Sequence, residues 1–414
     1  RHLYRQKIDM YDRPSQFEPL LIPESSQAYR HLIGLAQALS EANARLDASV
    51  HKDVARALSD LVRAMNCYYS NLIEGHHTLP IEIDRAMHQD FTNASSQSDL
   101  QRLAFAHIKT TEWANPIDIA EHGIQRFILD AHRRFCKNLP DDMLMIKMPD
   151  GKIVQMASGE IRINEVLVGT HVAPTFTSVG KFLDRYESIY LPVIKQGAED
   201  GLNKLEAIVA SMCAHHRLAW IHPFPDGNGR IARIVLDAML KRSGITGTAL
   251  WSMSRGFAKT QNEYKLRLAE ADMPRMGDLD GRGNLSEAKL AAFCEYGLKT
   301  AIDQVKFMFS VLALNSIEHR VRHYFSNMRT DLRPESAFLY LEALSRGGFE
   351  RGEAQRITGL AERTARDVLS GLTKEGFLLS DTPKRRVRVG FPVKALGTFL
   401  PNLYPAGDID FAGQ

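Results

Sequence analysis

The chain has few cysteines, little net charge and no long apolar run. Its 414 residues contain four cysteines, Cys67, Cys136, Cys213 and Cys294, widely scattered and without a CxxC pair. That scatter offers no metal cluster and suits a reducing, cytoplasmic compartment. No stretch approaches the roughly eighteen consecutive apolar residues that a membrane-crossing helix needs, so no membrane partner is expected. A formal charge of +3 is too small to give the whole chain affinity for nucleic acid or an anionic surface. Internal repeats and low-complexity tracts are also missing. What remains is an ordinary globular composition, in a chain long enough for two or three domains.

Apolar residues recur at helical spacing over 26–47, 50–70, 80–90, 96–114, 117–137, 179–198, 203–220, 229–243, 255–272 and 285–328. Residues 1–25 hold three prolines and read as extended. A β-rich stretch near 150–172 interrupts the helices, with a Gly-Thr turn in IRINEVLVGTHVAP. The glycine-rich loop Met276–Gly283 closes this part of the chain. The fold expected is therefore mainly α.

The stretch His222–Arg233, HPFPDGNGRIAR, carries the chemistry. Asp226-Gly227-Asn228-Gly229 is a turn that accepts left-handed backbone at little cost. Ile231, Ile234, Val235, Ala238 and Met239 then follow at helical spacing. A glycine loop thus runs into a helix N-terminus, where free N–H groups and the helix dipole attract phosphate. Arg230 and Arg233 are three apart and share a helix face, so both reach one anion. Asp226 suits a hard cation such as Mg²⁺. His222 is placed to act as a general base. Together these groups describe a nucleotide polyphosphate, its metal and a base for an attacking hydroxyl. Pro223 and Phe224 read as core anchors of the loop.

The segment resembles the Fic-domain motif HPFx(D/E)GNGRxxR at all nine specified positions, a match on the order of 10⁻¹² per starting position by chance. The resemblance implies a Fic-type helical core that transfers AMP from ATP to a Ser, Thr or Tyr hydroxyl of a target protein. By that likeness His222 would deprotonate the hydroxyl and Asp226 would hold Mg²⁺ against the phosphates. Gly227, Asn228 and Gly229 would form the anion hole, Arg230 would bind phosphate, and Arg233 would hold the γ-phosphate. Upstream, Ser70-Asn71-Leu72-Ile73-Glu74-Gly75 fits the (S/T)xxxE(G/N) pattern of Fic inhibitory helices. The resemblance implies that Glu74 pairs with Arg233 and denies it to the γ-phosphate, with Ser70 on the same helix and Gly75 ending it. A hairpin flap that clamps the target is expected within 155–172. Ser254, Tyr264 and Leu268, on one helix, are expected near the adenine and ribose. His215 and His216 are adjacent on a helix and face different ways, so packing or supporting roles are expected of them; the same is expected of His76 and His77, which follow Glu74.

Leu332–Pro392 reads as a separate unit: helices near 334–345, 351–358 and 362–374, then two strands, the second basic at Lys384-Arg385-Arg386-Val387-Arg388-Val389. Three helices and a basic hairpin resemble a winged helix-turn-helix. Arg363 and Arg366 lie on its recognition helix, and the partner is DNA or protein. The organisation expected is 1–95, a helical region with the inhibitory helix; 96–284, the catalytic core; 285–331, linking helices; 332–395, the winged helix; and 396–414, a tail, loose over Leu400–Gln414. Two function classes follow. One is a protein adenylyltransferase restrained by Glu74. The other is a DNA-binding transcriptional regulator with a nucleotide-sensing core, which would not need the base His222. Homodimerisation stays open.

Overall fold

The structure is a computed structural model, which describes residues 13–93, 95–147, 151, 153–169, 171–198, 201–382 and 385–408. It is mainly helical, as expected. The chain enters through a short 3₁₀ turn, Pro14–Phe17, rather than a purely extended arm. Phe17 is buried against Phe182 and Trp220, with ring centroids 5.1 and 5.5 Å away. Burial of that ring closes the turn. Residues 1–12 lie outside the described part.

Four helices follow: α1 (Tyr29–Ser49), α2 (Lys52–Ile73), α3 (Pro80–Met87) and α4 (Ser95–Ala114). The pattern expected over 117–137 is two helices, α5 (Ile119–His122) and α6 (Ile124–Lys137), because Gly123 turns the chain between them. Two antiparallel hairpins come next, where one was expected. The first is β1 (Met145–Lys147) with β2 (Ile153–Gln155); the second is β3 (Leu167–Val168) with β4 (His171–Val172). The Gly-Thr turn belongs to the second, and its Thr170 lies outside the described residues.

Helices α7 (Val179–Gln196), α8 (Leu202–Ile221) and α9 (Asn228–Arg242) build the centre. Helix α8 is buried on nearly every face, which its near-continuous apolar sequence requires. It packs against α7 on one side and α9 on the other. The helix expected over 255–272 is broken at Thr260 into α10 (Met253–Lys259) and α11 (Gln261–Ala271). Helix α12 (Glu287–Val311) packs on α1, α8, α10 and α11. Phe293, Cys294, Leu298, Ala301 and Val305 are its buried face. That apolar face draws α12 into the core, so the segment expected to link two units is in this respect part of the first.

The chain then forms α13 (Leu314–His323), α14 (Ser336–Arg346), α15 (Ala354–Thr358) and α16 (Glu362–Lys374), a two-stranded pair β5 (Leu378–Leu379) and β6 (Arg388–Val389), and α17 (Val393–Phe399). Phe325, Tyr340, Phe377 and Phe399 meet in an aromatic cluster beneath them, with ring centroids 5.0–6.2 Å apart. The basic second strand is shorter than expected, although Val387 also bridges Phe349; Lys384 lies outside the described residues.

The expectation of a loose tail is overturned for 400–408. Leu400, Leu403 and Tyr404 are buried. The Tyr404 ring covers Tyr68 and Tyr69 of α2, a surface that the polar, Pro/Gly-containing neighbourhood concealed. All four cysteines are buried and free, with Cys213 Sγ 3.3 Å from Cys294 Sγ. Among the described residues no helix is long and apolar enough to cross a membrane.

Candidate active site

Helix α8 ends on His222, whose backbone is left-handed at φ 52°, ψ 63°. A non-glycine residue there is strained, by about 1–2 kcal/mol, and persists only where its surroundings impose it. Two contacts from Arg162 do so. Arg162 Nε donates to the His222 carbonyl at 2.8 Å, and Arg162 N donates to the Pro223 carbonyl at 2.9 Å. Burial first, then His171 and Arg162, push the His222 imidazole down to about 4. At neutral pH it is uncharged and can accept a proton.

The loop after it is braced from inside. Phe224 is buried and stacked on His132, with centroids 3.8 Å apart. The His132 Nδ1 accepts from Gly159 N at 3.0 Å, which leaves Nε2 to donate to the Asp226 carbonyl at 3.3 Å. Asn228 spans the turn: its Oδ1 accepts from Phe224 N at 2.9 Å and its Nδ2 donates to Phe224 O at 2.8 Å. Gly227, at φ 82°, supplies the left-handed step into α9. Asp226 is exposed at the turn and makes no ion pair among the described residues.

The first two arginines of α9, Arg230 and Arg233, are buried and held by the end of α2. Arg233 Nη2 lies 2.7 Å from Glu74 Oε1; it also donates to Ser70 O at 3.0 Å, and Nε donates to Ser70 Oγ at 3.0 Å. Arg230 Nε donates to Asn71 Oδ1 at 3.1 Å, and Nη2 donates to His76 Nδ1 at 2.8 Å. A guanidinium has no acceptor, so His76 Nδ1 carries no proton here. The Glu74 side chain keeps 31% of its surface exposed. Burial alone would raise its carboxyl, but Arg233 and then Arg230 outweigh that and hold it below the usual range. Glu74 follows α2 as its last cap, and Gly75, at φ 85°, turns the chain away. The carboxylate sits directly over the loop: a Cβ on Gly229 would collide with it and lie 3.2 Å from Arg233 Nη1.

The structure therefore brings Ser70, Glu74, His222, Asp226, Gly227, Asn228, Gly229, Arg230 and Arg233 to one end of α9. Asn71 and His76 were missed as partners of Arg230. Asn71 is three residues before Glu74, on the same helix face, so its spacing did carry a signal. Tyr264 stacks on Phe257, with centroids 4.2 Å apart, and its hydroxyl meets His215 Nε2 at 2.8 Å. It is a core ring rather than the open wall of a base pocket. Ser254 is buried too, while Leu268 is half-buried and its carbonyl meets His216 Nε2 at 3.0 Å. His216 also lies 3.2 Å from Asp272, which binds His171 Nδ1 of β4 at 3.0 Å. His171 Nε2 donates to the Trp220 carbonyl at 2.8 Å, so the second hairpin is tied to the end of α8. Among the described residues no group of three or more His, Cys, Asp or Glu could hold a metal.

Residues 125–240 match the Fic/DOC family. The protein adenylyltransferase Fic of Drosophila mojavensis is 30% identical over 121 residues, 28% of this chain and 23% of that protein. The protein of the same name from Drosophila melanogaster is 29% identical over 121 residues, with the same coverage. The match thus spans about a quarter of the length of these curated relatives. Among solved structures, a Fic family protein from Desulfovibrio desulfuricans superimposes with a TM-score of 0.51 at 19% identity, covering 89% of this chain and 98% of the other. Fic-1 from C. elegans gives 0.50 at 19% identity, covering 68% and 73%. Those two share the fold. The matched segment holds the complete HPFPDGNGRIAR loop and the α8–α9 pair that presents it, and the chain therefore carries a domain of the Fic/DOC family.

Proposed function

We propose that the protein is an adenylyltransferase that moves AMP from ATP to a hydroxyl side chain of a target protein, and that it rests in a self-inhibited state. One observation carries the reading: the Glu74 carboxylate lies on Arg233 and against Gly229, at an anion-attracting helix N-terminus. It stands where a terminal phosphate oxygen of ATP would be bound.

In the reaction, the hydroxyl oxygen attacks the α-phosphorus, His222 takes the hydroxyl proton, and pyrophosphate leaves. The neutral imidazole suits that transfer. Gly227, Asn228 and Gly229 bind the phosphates through loop and helix N–H groups, and Arg230 and Arg233 neutralise their charge. Asp226 fits Mg²⁺: it is one exposed carboxylate without an ion pair, and Mg²⁺ in nucleotide sites takes one or two carboxylates plus phosphate oxygens. The ion would supply charge neutralisation on the departing pyrophosphate. The β3–β4 hairpin offers an edge for an extended target segment.

Labelling with α-phosphate-labelled ATP and Mg²⁺ tests this. Label on Glu74→Gly, with little on the wild type and none on Glu74→Gly/His222→Ala, is the expected result. Label on none of the three, with a panel of candidate targets present, would sink the reading.

The DNA-binding reading rests on α16, where Arg363 and Arg366 are exposed. Its basic groups are largely engaged within the chain. Arg366 pairs with Glu362 at 2.7 Å, Arg388 with Asp381 at 2.8 Å and Arg386 with Asp53 at 3.4 Å. A salt-dependent shift of duplex DNA, lost in Arg363→Ala/Arg366→Ala, is the outcome that reading requires.

A further inference from the structure

Arg162 is a buried arginine that no ligand-facing role explains. Its side chain is fully buried, and its nearest carboxylate, Glu165, is 3.6 Å away at the surface. All of its other contacts are backbone carbonyls. Nε donates to His222 O at 2.8 Å, Nη1 donates to Asn164 O at 3.1 Å, and Nη2 donates to Pro174 O. Asn164 and Pro174 flank the β3–β4 hairpin on its two sides. The His222 carbonyl is one of the carbonyls a helix leaves unpaired at its C-terminus. One guanidinium thus fastens both feet of the hairpin to the backbone of the residue that carries the base.

We propose that Arg162 is a positioning residue, which sets the hairpin that receives the target in register with His222. This rests on the adenylyl-transfer reading above. The fork geometry is essential: lysine keeps the charge but presents one nitrogen on a flexible stem, and cannot span three carbonyls in different directions. A displacement of about 1 Å between hairpin and base costs about 10²-fold in rate.

The test uses the full chain with Glu74→Gly as parent. Arg162→Lys and Arg162→Gln are compared by melting, ATP binding, transfer kinetics and hydrogen exchange. The expected result is unchanged ATP affinity, a fall in kcat of about 10²-fold with a rise in KM for the target, and faster exchange confined to 163–174 and His222. Exchange is read whether or not the parent transfers AMP, so failure of the transfer reading is separable. Unchanged exchange there, unchanged kcat in a folded variant, or loss of cooperative melting in both variants would overturn the positioning role.

A second observation is independent of the first. Segment 400–408 clasps the inhibitory helix on the side away from Arg230 and Arg233. Tyr69 OH donates to Leu403 O at 2.9 Å, and the Tyr404 ring stacks on Tyr69 at 6.3 Å and meets Tyr68 edge-on at 5.2 Å. Asp408 accepts from Tyr68 OH and pairs with His77 at 2.8 Å. Arg255 of α10 donates to Asn402 O at 2.6 Å. At the other end of α2, Asp53 pairs with Arg386. Ser70, Asn71 and Glu74 therefore sit on a helix pinned at both ends by the C-terminal part of the chain.

We infer that segment 400–408 is a lock that holds Glu74 on Arg233, so that its release raises nucleotide binding. This too rests on the self-inhibition reading. ATP binding with Mg²⁺ is measured on wild type, Tyr404→Ala, Asp408→Asn, Glu74→Gly and the Tyr404→Ala/Glu74→Gly pair. Tyr404→Ala is expected to raise ATP affinity about fivefold or more, Asp408→Asn less, and neither to add to Glu74→Gly. Faster exchange at 70–77 accompanies it, and is read even if Glu74→Gly leaves ATP affinity unchanged, the result that would instead defeat self-inhibition. If Tyr404→Ala does not fold, Asp408→Asn decides alone. Wild-type affinity and exchange in the folded tail variants, or an equal gain on top of Glu74→Gly, would overturn the lock.

Discussion

Glu74 Oε1 lies 2.7 Å from Arg233 Nη2, across 159 residues of sequence, and the same arginine takes the carbonyl and hydroxyl of Ser70. The arginine has exchanged water for three acceptors from one helix turn. A nucleotide phosphate must break this set, and the charged contact is its strongest member.

Glu74→Gly should therefore raise ATP affinity about 10- to 100-fold, the worth of a hydrogen bond between charged groups. Calorimetric titration with ATP and Mg²⁺ measures it. Equal affinities in the two proteins would remove Glu74 as a competitor.

His222→Ala, made on the Glu74→Gly background, should lower transfer about 10²- to 10⁴-fold and leave ATP binding within a factor of about two. The imidazole supplies proton transfer and no phosphate contact in this reading. Loss of binding in parallel with turnover would instead make His222 part of the nucleotide site.

Gly229→Ala separates the two occupants of the loop. Its methyl group would collide with Glu74 and lie 3.2 Å from Arg233 Nη1. It should displace the carboxylate and obstruct the phosphate together, giving no gain in ATP affinity over wild type. On the Glu74→Gly background only the obstruction remains, and affinity should fall about tenfold or more. Affinity unchanged there would mean that phosphate does not approach Gly229.

The pH dependence follows from the buried imidazoles of His107, His132 and His215 and from half-buried His222. Burial pushes His107 and His215 down to about 3, and His132 and His222 down to about 4. Their unfolded value is about 6.5. Between those values the unfolded chain binds more protons, so stability rises with pH through this window and is complete above it. Asp237 opposes them in part, because burial pushes its carboxyl up to about 7 and the folded chain keeps that proton; denaturant midpoints should still drop from pH 7 to pH 5 as the more numerous imidazoles dominate. The acid limb of kcat/KM for Glu74→Gly should lie near pH 4 rather than 6.5. A limb near 6.5 would show that His222 titrates as an exposed imidazole.

Much of the site was legible because its chemistry is contiguous. The glycines and Asn228 determine the turn, the apolar spacing after Gly229 determines the helix, and the helix start determines where an anion goes. Ser70, Glu74 and Gly75 were picked out by their resemblance to the Fic inhibitory pattern, since their spacing alone describes any helix ended by glycine. Backbone propensity and side-chain periodicity act over a few residues, so they can be read in order along the chain. Tertiary packing alone decided the rest. The three carbonyls around Arg162 and the return of Tyr404 to Tyr69 join segments far apart in sequence, and the meeting of Glu74 with Arg233 was expected only from the family resemblance. Helix α12 was read as a link for the same reason: its periodicity shows an apolar face but does not name the surface that covers it. Hydrophobic burial has no direction of its own. Which faces meet is settled only when every element competes for the same core.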